Sequence, residues 1–123
     1  MKKILIIEDD LDILEITQII LEQEGYEIYA ISDCNDIYHQ LTEILPDLIL
    51  LDINLPGFDG RDICEYIKSY NKLKHIPVVM MSAYPNARQL CQDAGADAFI
   101  EKPFQLDHLL STVKRFSSSE AVA

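Results

Sequence analysis

Five short runs of isoleucine, leucine and valine, each followed by a segment with helical spacing, constrain this chain more than anything else in its sequence. The runs fall at residues 3–7, 26–31, 48–51, 77–81 and 98–100. Most are apolar at nearly every position, which suits strands covered on both faces of a parallel sheet better than a half-wet antiparallel one. The first helical segment carries Ile13, Ile16 and Ile20 on one stripe and stops at Gly25, with Asp10 or Asp12 placed to cap its start. The second carries Ile37, Leu41, Ile44 and Leu45 and ends before Pro46, and the third carries Ile63, Cys64 and Ile67 after the turn Phe58-Asp59-Gly60. Ala87, Leu90, Cys91 and Ala94 predict a short fourth helix ending at Gly95, and Leu106, Leu109, Leu110 and Val113 predict a fifth.

Strict alternation of strands and helices implies right-handed crossovers with helices on both faces of the sheet. The predicted fold is therefore α/β, a flavodoxin-like (βα)5 doubly wound parallel sheet of five strands in the order 2-1-3-4-5. At 123 residues there is room for one core. Residues 1–116 are expected to form it, and the Ser and Ala stretch 117–123 to be a short flexible tail with no output domain attached.

Ten Lys and Arg against 21 Asp and Glu leave a net charge of -11, which repels phosphodiester backbones and anionic lipid. Neither nucleic acid nor membrane is expected as a direct partner. Cys34, Cys64 and Cys91 are odd in number and widely spaced, encoding neither a paired disulfide framework nor a CxxC site, which favours a reducing, cytoplasmic setting. The apolar run at residues 4–7 is too short for a signal-peptide core or a membrane span.

In such a sheet, ligands bind beyond the carboxyl ends of the strands where the winding reverses, here between the first and third strands. The first strand runs into Glu8, Asp9 and Asp10, and the third ends at Asp52. Carboxylates crowded together either protonate or recruit a cation. Oxygen donors without nearby His or Cys select a hard ion, Mg²⁺ before Ca²⁺. Any one of these acids alone also reads as a solvated turn or helix cap; their joint placement at adjacent strand ends is what points to a site. Ser82 ends the fourth strand and Lys102 follows the fifth, so a hydroxyl and an ammonium are aimed at the same edge. Taken singly, Ser82 also fits a helix cap and Lys102 a surface charge. Together the set is equipment for phosphoryl transfer, with Asp52 the natural acceptor.

The motifs Ile4-Leu5-Ile6-Ile7-Glu8-Asp9-Asp10, Leu50-Leu51-Asp52-Ile53-Asn54-Leu55-Pro56-Gly57-Phe58-Asp59-Gly60, Met81-Ser82-Ala83 and Lys102-Pro103-Phe104 resemble the receiver domain of two-component response regulators, of the single-domain chemotaxis-receiver type. The resemblance runs from Lys2 to about Phe116. It implies that Asp52 accepts a phosphoryl group from a histidine kinase or phosphotransfer protein. It further implies that Asp9 ligates Mg²⁺ directly and Glu8 through water, with Asp52 and the backbone carbonyl of Asn54 completing the protein ligands. Lys102, before a cis proline bond, would pair with a phosphoryl oxygen. Ser82 and Phe99 match the switch positions, although an aromatic at residue 99 also suits ordinary strand filling. Asn54 and Tyr84 match positions that tune water access to the acyl phosphate, and Phe58 stands where many relatives have Met. The resemblance also implies an output surface on the fourth helix, fifth strand and fifth helix, with Arg88, Gln92 and Phe99 as contacts, and a monomer or a phosphorylation-dependent dimer.

Three other readings fit the sequence less well. A docking module of receiver shape without phosphorylation conflicts with the intact Glu8, Asp9, Asp52, Ser82 and Lys102. An aspartate-nucleophile phosphohydrolase needs a general acid two residues after the nucleophile, where this chain has Asn54. An FMN carrier would meet acids in the loop that must hold its phosphate. The chain is thus expected to act as a switch and not as a turnover enzyme.

Overall fold

Residues 4–7 and 48–51 offer no polar side chain to water, and they lie in β1 (Lys3–Ile7) and β3 (Leu48–Asp52), the adjacent inner strands of the main sheet. The computed structural model describes residues 1–118. After β1 come α1 (Leu11–Gln23), β2 (Glu27–Ile31), α2 (Ile37–Ile44) and β3, then a small hairpin of β4 (Asn54–Leu55) and β5 (Phe58–Asp59). The chain continues through α3 (Gly60–Ser69), β6 (Val78–Ser82), α4 (Ala87–Asp93), β7 (Ala98–Glu101) and α5 (Leu106–Ser117). The main sheet is parallel throughout, in the order β2-β1-β3-β6-β7. With the hairpin set aside this is the expected 2-1-3-4-5 winding, the flavodoxin-like fold.

Successive strand residues point to opposite faces, and both faces are covered. Leu5, Ile7, Ile49, Leu51, Val78 and Met80 pack with α2, α3 and α4, and this layer also holds Cys34, Cys64 and Cys91, all buried as free thiols. Ile4, Ile6, Leu48, Leu50, Val79 and Met81 pack on the other side against α1 and α5. Each fully buried aliphatic side chain contributes about 1.5–3 kcal/mol, so the inner strands are held far more firmly than their ends. Polar groups at those ends are therefore carried on a rigid base.

Several helical stripes are rotated from their expected positions. In α1 the buried residues are Leu14, Thr17 and Leu21, whereas Ile16 is 56% exposed and Ile13 and Ile20 are half-buried. Thr17 can turn inward because its hydroxyl donates to the Ile13 carbonyl at 2.6 Å. Leu45 lies outside α2 in a left-handed conformation with φ 47, half exposed, where Pro46 stops the helix. Ala87 and Cys91 take the inward face of α4, which leaves Leu90 exposed, and Leu106 is exposed at the start of α5. Asp10, and not Asp12, caps α1, accepting from the Asp12 and Ile13 amides at 3.0 and 3.2 Å. Ser117 closes α5 instead of opening the tail, and residues 119–123 of that expected tail lie outside the described residues. Among the described residues no helix is long and apolar enough to cross a membrane.

Candidate functional site

Ile7 pairs with Leu51, and Asp52 pairs with Met81, so the strand register sets Glu8, Asp52 and Ser82 at nearly one level beyond the apolar core. Backbone bonds continue past the strands: Glu8 donates to the Ile31 carbonyl at 3.0 Å, Ile53 to Met81 at 3.1 Å, and Lys102 to Ser82 at 2.8 Å. Polar side chains are thereby fixed by the same ladder that builds the core. Glu8 and Ser82 are each 1% exposed and Asp52 is 6% exposed, unusual burial for such groups unless they are partnered.

Lys102 supplies the partner. Its ammonium donates to Glu8 Oε1 at 2.5 Å and to Asp52 Oδ2 at 3.1 Å. Glu8 Oε2 accepts from the Asp10 amide at 3.2 Å, and Asp52 Oδ1 from the Asn54 amide at 3.3 Å. Ser82 Oγ accepts from the Tyr84 amide at 3.1 Å, and its own proton has no acceptor among the described residues. The peptide bond between Lys102 and Pro103 is cis.

One ammonium does not balance this cluster. Glu8, Asp9 and Asp52 bring carboxylate oxygens within 4.8 Å of one another. Asp9 is exposed, accepts no hydrogen bond and forms no ion pair among the described residues. Burial pushes the Glu8 carboxyl up to about 7; the Lys102 hydrogen bond opposes that rise and neighbouring Asp52 adds to it. Burial works against the Lys102 ammonium, but the Glu8 hydrogen bond and the charge of Asp52 outweigh it and hold its pKa above the ordinary lysine value. An acid forced toward neutrality beside an unengaged carboxylate is the electrostatic condition that a hard divalent cation relieves. The donor set fits Mg²⁺: oxygen ligands, two of them on rigid strand ends.

The mouth is a shallow cleft of about 440 Å³ between Asp9, the β4-β5 hairpin and Tyr84. Tyr84 is 60% exposed and Asn54 is exposed, so both stand at the rim. Phe58 is half-buried and packs against the core. Phe99 lies apart on the outer part of the sheet, half-buried, with the Arg88 guanidinium 5.2 Å above its ring.

Residues 4–114 match the response regulator receiver domain. The chain belongs to that family. Solved receivers share its fold along nearly the whole length. The signal receiver domain of a signal transduction histidine kinase from Syntrophus aciditrophicus is 33% identical with a TM-score of 0.89, covering 97% of this chain and 92% of that one. The receiver domain of NtrX from Brucella abortus is 33% identical with a TM-score of 0.84, covering 93% and 97%. The chemotaxis protein CheY4 of Vibrio cholerae is 25% identical with a TM-score of 0.85, covering 94% and 98%.

Of the expected receiver residues, Glu8, Asp9, Asp52, Ser82 and Lys102 come together, Asn54 joins at the rim, and Phe99 does not reach the crevice. Sequence reasoning missed Gly60. A Cβ there would sit 2.2 Å from the Asp52 carbonyl oxygen, and the Gly60 amide donates to Ile53 at 2.8 Å. The start of α3 therefore presses directly on the backbone carrying Asp52. Its Asp-Gly pair reads as a turn in the sequence, and only the contact reveals the second role. The hairpin was also missed, because two residues per strand leave no periodicity to detect.

Proposed function

We propose that this receiver is a phospho-acceptor of a two-component system, modified on Asp52 by a histidine kinase or phosphotransfer protein. The observation that carries the reading is the meeting of Glu8, Asp9, Asp52 and Lys102 at the ends of β1, β3 and β7. An Asp52 carboxylate oxygen attacks the phosphorus of a phosphohistidine, the new O–P bond forms as the P–N bond breaks, and the imidazole departs. Asp9, Asp52, Glu8 through water, and the Asn54 carbonyl would hold Mg²⁺, which when bound neutralises phosphoryl oxygens. Lys102 receives one phosphoryl oxygen, and the Ser82 hydroxyl donates to another. Ser82 and Phe99 form the switch, since a dianionic group that bonds the hydroxyl and the ammonium in one state biases a two-state equilibrium.

Output passes through the face of α4, β7 and α5 to a downstream protein, with the receiver a monomer or a phosphorylation-dependent dimer. Three free thiols are consistent with a cytoplasmic setting. The only chemistry is transfer onto Asp52 and slow loss of that phosphate.

The test is intact-mass analysis after incubation with a small phosphoryl donor and Mg²⁺. Wild type should gain one phosphoryl mass, and Asp52→Asn or added chelator should abolish the gain. A folded wild type that gains no mass would instead support a docking module.

A further inference from the structure

Asp59 ends β5 and is also the N-cap of α3, so one side chain stands where the hairpin joins the helix. Arg61 grips it. The Arg61 amide donates to Asp59 Oδ1 at 2.9 Å, Nε to Oδ1 and Oδ2 at 3.1 Å each, and Nη2 to Oδ2 at 2.7 Å. The ordinary helical partner of Arg61 is Glu65, four residues on, yet among the described residues the guanidinium forms its ion pair with Asp59 alone. These bonds hold the Asp59 carboxyl below the ordinary aspartate value, so it stays ionised and fully accepting at neutral pH.

As a contribution to stability the fork is minor, because its side chains are 42% and 35% exposed and ion pairs so wet add little. Its place in the chain gives it another consequence. The hairpin pairs two residues per strand, Asn54 with Asp59 and Leu55 with Phe58, too few to hold a shape unaided. Leu55 and Phe58 anchor its tip by packing on the core. At its base Asn54 is exposed, and apart from a 3.3 Å bond from its amide to Asp52 Oδ1 it is placed by its cross-strand partner Asp59. The next residue, Gly60, closes the base with its amide donating to the Ile53 carbonyl at 2.8 Å. Asn54 and Asp59 line the mouth of the crevice together with Asp9.

Resting on the Mg²⁺ set of the proposed function, we propose that Arg61 is a positioning residue for the cation: its grip on Asp59 fixes the base of the hairpin and with it the Asn54 carbonyl. Arg61 acts through Asp59 and not as a ligand. By charge alone a guanidinium near a divalent ion repels it, so removing Arg61 would tighten Mg²⁺ binding. Positioning has the opposite sign, since a carbonyl on a loosened loop must be ordered when the ion binds, at a cost in entropy.

The experiment measures Mg²⁺ affinity by calorimetry on unphosphorylated protein, amide hydrogen exchange on metal-free protein, and the Asp52 mass gain separately at saturating Mg²⁺. Arg61→Gln should weaken Mg²⁺ binding about tenfold although it removes a positive charge. Arg61→Lys, which keeps the charge and loses the fork, should fall most of the way to the same value. Once Asp59→Asn has broken the grip, adding Arg61→Gln should weaken binding no further. In Arg61→Gln the Gly60 amide should exchange faster while amides of β1 and β3 keep their protection, and the mass gain at saturating Mg²⁺ should match wild type.

Unchanged or tighter Mg²⁺ binding in Arg61→Gln, wild-type affinity in Arg61→Lys, or exchange that quickens equally throughout the sheet would overturn the proposal. A wild type that binds no Mg²⁺ would overturn it together with the metal set. A wild type that binds Mg²⁺ with the expected Arg61 dependence and gains no phosphoryl mass would sink the phospho-acceptor reading alone.

Discussion

At the amino ends of the strands Lys68 meets Asp97, and at the carboxyl ends Lys102 meets Glu8 and Asp52. The first meeting is balanced. Lys68 gives its charge to Asp97 and a further proton to the Ile76 carbonyl at 2.8 Å, while Asp97 takes the Val78 amide as well. The pair ties α3 to the starts of β6 and β7 and leaves no net charge. The second meeting has one ammonium for two buried acids, with a third carboxylate, Asp9, unengaged beside them. The same residue types make a clasp at one end and an unbalanced acidic cluster at the other. What separates them is charge stoichiometry and burial: the Lys68 and Asp97 side chains are 21% and 36% exposed, those of Lys102 and Glu8 13% and 1%.

The comparison breaks most decisively at Lys102. With Lys102→Met, two buried carboxylates lose their shared cation, and in chelator at about pH 8 stability should fall by roughly 3 kcal/mol in urea unfolding, with part of the loss recovered in Mg²⁺. A loss no larger than that of the matching Lys68 variant would erase the distinction.

Proton linkage probes the same imbalance. Folded Glu8 holds its proton up to about 7, whereas in the unfolded chain it ionises near the ordinary glutamate value of 4.5. The folded state thus binds more protons across that window, so this stabilising contribution is complete below it and is lost as pH rises through it. Metal-free protein should lose on the order of 2–3 kcal/mol between about pH 5 and about pH 8 from this group, and saturating Mg²⁺ should flatten the decline. Urea midpoints at the two pH values, with and without Mg²⁺, check it.

Gly60→Ala strikes the support of the site and not its charge. The added Cβ meets the Asp52 carbonyl at 2.2 Å, so the strand end must shift; the expected cost is about 2 kcal/mol together with slower phosphoryl incorporation. The smallest effect belongs to the balanced end. Lys68→Met should cost about 1 kcal/mol and leave the Asp52 mass gain unchanged.

The sequence made the fold legible because its inner strands are apolar on both faces and its helices carry one stripe each. The acidic crevice was legible for a related reason: Glu8, Asp9 and Asp52 follow directly on apolar runs, so their position at a strand end can be counted. Helix rotation was less so. Residues one position apart, such as Ile16 and Thr17, compete for the inward face, and a hydroxyl that bonds back to Ile13 can displace a larger hydrocarbon. Contacts between residues distant in the chain were hidden altogether. Lys68 with Asp97, Arg88 with Phe99 and Gly60 against Asp52 each depend on how separate elements settle against one another, which no local pattern records.

The three thiols buried beneath α2, α3 and α4 give this molecule a clock of its own. Burial pushes Cys64 up to about 12 and Cys91 up to about 11, so at neutral pH neither presents a thiolate to an alkylating reagent until its layer opens. The layer beneath α1 and α5 contains no cysteine among its buried residues. The rate of alkylation therefore times the separation of one side of the molecule from its sheet, with no engineered label, while the opposite side stays silent.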